Sequence, residues 1–144
     1  MKKVALGFLL LGVIAISGCS GSSSSGSSVN LTGVWTINPH SLSQSISFNS
    51  FRVTLQQSGS MIAATSVQAN PSPGTTACSN GSGTISGTVS GSVFNGQLIT
   101  NASTTTFSVS GTSSSMSGTF STNIHSGPCK GAGIVTGNLT MARI

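Results

Sequence analysis

The 144-residue sequence contains no aspartate and no glutamate. That absence removes whole classes of chemistry. A paired-carboxylate acid/base site needs two acidic side chains. A Ser-His-Asp triad loses the group that orients its imidazole. Hard-cation sites lose their anionic ligands, so Ca²⁺ or Mg²⁺ would rest on carbonyls alone. The expectation is a protein that is not an enzyme and carries no cofactor. Charged residues make up 3% of the chain, so solubility falls to Ser, Thr, Asn and Gln. The formal charge is +5, but Lys2 and Lys3 stand at the extreme N-terminus, which leaves Arg52, Lys130 and Arg143. Three scattered cations do not make the clustered basic face that nucleic acid requires, and no nucleic-acid partner is expected.

Long apolar runs are also scarce. The longest, residues 4–16, is too short for a comfortable membrane span and follows the positive Met1-Lys2-Lys3. It ends in Ile16-Ser17-Gly18-Cys19. An aliphatic residue, two small residues and a cysteine resemble a bacterial lipobox at the end of a signal peptide. The resemblance implies that residues 1–18 are removed and that Cys19 becomes the lipidated first residue. An ordinary secretory signal cut elsewhere is the alternative. Residues 19–30 then form a Gly/Ser-rich linker that behaves as a flexible coil. Two or more acyl chains on Cys19 give stable anchoring where one is marginal. Ser20, rather than Asp, follows the cysteine, and by the same resemblance a Gram-negative host would sort the protein to its outer membrane. The expected location is the cell envelope, with the membrane as a partner through the lipid.

From Leu31 onward the composition does not favour helix: Gly, Ser, Thr and β-branched residues dominate. Apolar residues recur with period two in eight runs. LTGVWTI places Leu31, Gly33, Trp35 and Ile37 on one face, and FRVTLQQ places Phe51, Val53 and Leu55 opposite Arg52, Thr54 and Gln56. MIAATSV is a weaker third run. The fourth and fifth bring together Ile85, Gly87 and Val89, then Phe94, Gly96 and Leu98. The sixth and seventh give Phe107 and Val109, then Met116, Gly118 and Phe120; the last gives Val135, Gly137, Leu139 and Met141. One apolar and one hydroxyl face per strand is the pattern of an antiparallel sheet wet on one side. The fold class is therefore all-β: an eight-stranded antiparallel up-and-down meander over residues 31–144, closed into a barrel. Closure removes two edges that a nearly uncharged sequence has few means to protect. An open sheet that dimerises through its edges has the same pattern. ISGTV, MSGTF and VTGNL share an inward glycine, which leaves room for a neighbouring Phe or Trp or lets the strand bend. Their unequal intervals argue against a regular β-solenoid.

Tight QSGS, SGS and GTSSS turns join strands 2–3, 4–5 and 6–7. Long segments, NPHSLSQSISFNS, QANPSPGTTACSN and NIHSGPCKGA, join strands 1–2, 3–4 and 7–8. In a meander all the long segments fall at one end, with all four prolines, His40, His125, Cys78 and Cys129. The tether falls at the other end. The elaborate end then points away from the membrane and is where binding is expected.

Export to an oxidising compartment and shared location predict a Cys78–Cys129 disulfide. A Cys₂His₂ zinc site with His40 and His125 is the competing use, but no C-x₂-C or H-x₃-H pair preorganises it. A Cys-His nucleophile lacks an acid to orient its imidazole, a role that only an Asn could fill here. Trp35 is either core or a ligand platform. Trp35, His40 and His125 are thus the candidate binding residues, with no catalytic and no metal site assigned. GSGTISG and GAGIVTG run into strands, so no helix N-terminus awaits a phosphate.

The lipobox, the LTGVW opening, the LQQSG turn, the SGT strands and the paired loop cysteines together resemble a loose group of small bacterial β-rich lipoproteins with no assigned activity. The G-x-W first strand and the meander are also similar to lipocalin-like and avidin-like barrels, which implies a small apolar ligand held inside. Avidin-like sites need several Trp and Tyr side chains, and this chain has one Trp and no Tyr, so biotin binding does not follow. The expectation is a membrane-tethered, non-catalytic envelope lipoprotein acting as a lipocalin-like barrel. The alternative is a protein-interaction module, or inhibitor of an envelope enzyme, working through the long-loop end.

Overall fold

The structure is a computed structural model that describes residues 27–42, 46–70, 78 and 82–144. Cys19, the expected signal peptide and most of the expected linker lie outside the described residues, as do Pro71 and Pro73. The chain is all-β. Its strands are β1 (Gly33–Ser41), β2 (Ser50–Ser58), β3 (Met61–Asn70), β4 (Gly83–Ser90), β5 (Val93–Thr100), β6 (Ser103–Gly111), β7 (Ser115–Ile124) and β8 (Ile134–Arg143). Each pairs antiparallel with its sequence neighbours, and β8 returns to β1 from Trp35↔Arg143 to Ser41↔Gly137, closing the barrel. The open-sheet alternative therefore does not apply.

Eight strands enclose an interior that side chains just fill. Inward positions hold Trp35, Ile37, Phe51, Val53, Leu55, Ile85, Phe94, Leu98, Phe107, Met116, Phe120 and Leu139, all buried. The inward glycines seat rings rather than leave a hole. A Cβ on Gly96 would stand 2.5 Å from Cζ of Phe107, and one on Gly137 would stand 2.5 Å from Cε1 of Phe120. Outward positions carry mostly hydroxyls and amides. This is the inverse of the outward apolar band of a membrane-spanning barrel.

Two strands depart from the sequence expectation. β1 does not begin at Leu31, and it runs on through Pro39, His40 and Ser41 instead of ending at Ile37. The reason is β8. Pairing with β2 stops at Ile37↔Phe51, but pairing with β8 continues four residues further. Leu42 N–H donates to Thr136 O (3.1 Å) and Ile144 N–H to Val34 O (3.0 Å), so even-numbered β1 positions bond β8. Pro39 falls between them. Its missing N–H faces the side where the β2 ladder has ended, the setting in which a strand tolerates proline. The weak third run contains a bulge: Thr54 faces Ser66 but Leu55 faces Ala64, leaving Thr65 extra. Buried Ile62 and Val67 lie on either side of it, which breaks strict alternation.

Short turns close one end. Gly59 (φ 60) and Gly91 (φ 56) begin two-residue turns of the primed kind, which need positive φ at that position. The N-terminal segment lies across this end. Val29 N–H donates to Gly91 O (2.8 Å), and Leu31, outside β1, is fully buried. Trp35 Nε1–H donates to Leu31 O at 2.8 Å. Arg143 donates to the carbonyls of Thr32 and Ser113, tying that segment to the β6–β7 turn.

Candidate functional site

The other end carries the longer connections, and they are bound to one another. Cys78, between β3 and β4, forms a disulfide with Cys129, between β7 and β8, with Cα atoms 5.2 Å apart. Cys78 N–H donates to Ser47 O (3.0 Å), which draws in the β1–β2 connection. The β7–β8 connection also rests on the β5–β6 turn. His125 and Ser126 N–H groups both donate to Ala102 O (2.9 and 3.2 Å), and Ser126 Oγ donates to Asn101 O (2.9 Å). Cys78, Ile124 and Val135 form a small buried cluster here, with Ile46, Phe48 and Cys129 against it.

Phe48 joins this crown to the barrel. Its ring meets Phe120 edge to face, with centroids 5.4 Å apart. Beneath it is an apolar pocket bounded by Ile37, Pro39, Phe51, Leu98, Phe107 and Leu139, with Ser103 and Thr105 on one wall. Its free volume is about 20 Å³, room for one water. The wall hydroxyls are already engaged: Ser103 with Thr100 at 3.2 Å, and Thr105, which donates to Thr122 at 2.7 Å.

The candidate residues are not brought together. Trp35 is fully buried near the closed end, packed in the core and bonded to Leu31, so it is not a ligand platform at the loops. His40 is exposed on the barrel wall in β1, paired with Asn138, rather than in a loop. His125 is exposed in the β7–β8 connection, as expected. The disulfide consumes both thiols that the zinc and Cys-His alternatives needed. Among the described residues no group of three or more His, Cys, Asp or Glu is placed to hold a metal. The crown therefore offers hydroxyls, amides, the His125 imidazole and the Lys130 ammonium to a binding partner, with the His40 imidazole apart from them on the barrel wall.

Sequence reasoning missed the pocket and its hydroxyl wall. A signal was present: Thr105 is in phase with Phe107, and Thr122 with Phe120. Hydroxyls on an otherwise apolar face mark a place where the interior turns polar. No family model matches the chain, and neither do any curated protein or any solved structure.

Proposed function

We propose that the protein is a membrane-tethered, non-catalytic envelope lipoprotein whose long-loop end is a protein-interaction module. The observation that carries this reading is the filled barrel. Among the described residues, the pocket at the mouth has about 20 Å³ free, too little for a lipocalin-sized ligand, which favours recognition on the outer surface of the crown. The Cys78–Cys129 disulfide and the bonds of Cys78 to Ser47 and of His125 to Ala102 tie the described parts of these connections together, which lowers the ordering cost of binding. The N-terminal segment crosses the opposite end, so a lipid on Cys19 would leave the crown facing outward.

A photo-crosslinking residue at Lys130, in the anchored protein in its own envelope, tests this against one at Gly59. The expected outcome is a discrete protein adduct from position 130 and none from position 59. Equal adducts from both ends, or none from either, would count against a loop-end interface. A second reading, the lipocalin-like carrier of a small apolar ligand, is favoured by one feature: the apolar pocket under Phe48.

A further inference from the structure

Phe48 belongs to two packed groups at once. It packs on the barrel core below and on the Cys78, Ile124 and Val135 cluster above. It comes from the irregular segment 46–49 rather than from a strand, and it is half-buried where Phe51, Phe107 and Phe120 are buried. The ring stands over a pocket that is almost entirely apolar and too small, as it is, for more than a water. One of the bonds on its segment reaches it from another connection. The Cys78 N–H bonds the Ser47 carbonyl at 3.0 Å, one residue away, and Cys78 is fixed in turn by its bond to Cys129. Cys129 is half-buried, whereas Cys78 is buried.

We propose that the barrel mouth is a binding pocket for one small, flat, uncharged apolar group, covered by the Phe48 ring and latched shut by the Cys78–Cys129 disulfide. The inference deepens the small-ligand reading and rests on it. The phenyl of Phe48 defines the size of what replaces it: a single ring with a short substituent. The lining defines its chemistry. Phe51, Leu98, Phe107 and Phe120 offer no charge to pair with an ion, and an unpaired buried charge is costly. Opening needs a dithiol. It supplies two electrons and two protons, the S–S bond breaks, two cysteine thiols form, and the dithiol becomes a cyclic disulfide.

The test uses the full soluble Cys19→Ser chain, with toluene as the probe, read by saturation-transfer NMR with and without dithiothreitol. Trp35 is fully buried beside Leu31 at the far end, so its emission reports whether the barrel stays folded while the mouth opens. Reduction is expected to tighten toluene binding at least about tenfold, by raising the fraction of open, binding-competent chains, with Trp35 emission unchanged. Phe48→Ala, with the disulfide intact, is expected to bind toluene as well as the reduced parent. A reduced, folded chain that binds no better than the oxidised one overturns the proposal. So does a red shift of Trp35 on reduction, which would make the disulfide a staple of the whole fold rather than a latch. Failure of Phe48→Ala to bind removes the pocket itself. None of these results bears on loop-end crosslinking, which is scored on the oxidised protein.

Discussion

Gly96 and Gly59 are glycines for different reasons, and substitution separates them. A methyl at position 96 would stand 2.5 Å from Cζ of Phe107 and 3.1 Å from Cζ of Phe94, two rings that meet edge to face at 5.1 Å. Gly96→Ala is expected to cost about 1–3 kcal/mol by overpacking. Gly59 has nothing within 4 Å of a Cβ, but its φ is 60. Gly59→Ala is expected to cost about 1–2 kcal/mol through backbone strain alone. Urea unfolding in a Phe107→Leu background distinguishes the two. The penalty at 96 should shrink there, because the clashing ring atom is gone, while the penalty at 59 should stay the same. Equal penalties at 96 in both backgrounds would show that the ring contact is not the cause. Much of this was legible in the sequence. Alternation alone puts Gly87, Gly96, Gly118 and Gly137 on the apolar face. Which ring lies on which glycine was not legible, because it depends on register between strands, and register is a property of pairs. Trp35 shows the same limit. Its position on the inner face could be read, but its bond to Leu31 depends on how the chain enters the barrel.

At the scale of elements, turns and strand phase were readable, while the reach of strands was not. Pro39 looks like a terminator because proline lacks the ladder donor. β1 passes it because β8, nearly a hundred residues later, bonds the even-numbered positions on either side. His40 was misplaced for the same reason. The bulge at Thr65 weakened the alternation of β3, which was readable only as a weak run, by shifting its phase in mid-strand. The disulfide was readable from topology, since a meander puts both cysteine segments at one end. Its separation of 51 residues makes it the longest-range covalent constraint on the crown. In the chain-entropy model, closing such a loop is worth about 4 kcal/mol. Urea unfolding with and without reductant should show a loss of that order. The urea dependence should steepen slightly on reduction, because an uncrosslinked unfolded chain exposes more surface. A loss below about 1 kcal/mol would mean that the reduced, unfolded chain retains structure of its own.

The whole molecule inherits its oddest property from the missing acids. Acid denaturation of ordinary proteins is driven mainly by carboxylates that are paired or hydrogen-bonded when folded and must take up protons on unfolding. A carboxylate with a depressed folded pKa contributes stability above its unfolded pKa and loses it as the pH falls through the folded value. This chain has no Asp or Glu to behave so. Reference carboxyl values lie at about 3.3 to 4.3, so that is the window in which most proteins begin to lose stability. Here the number of protons bound in that window should hardly differ between folded and unfolded chains. Stability should therefore be flat within about 0.5 kcal/mol between pH 5 and pH 2.5, since the slope with pH is set by that difference. Urea midpoints at those two values, with the disulfide intact, check it. A drop of more than about 1.4 kcal/mol, equivalent to one full pKa unit for a single group, would overturn this reading, because the sequence has no Asp or Glu to take up the protons.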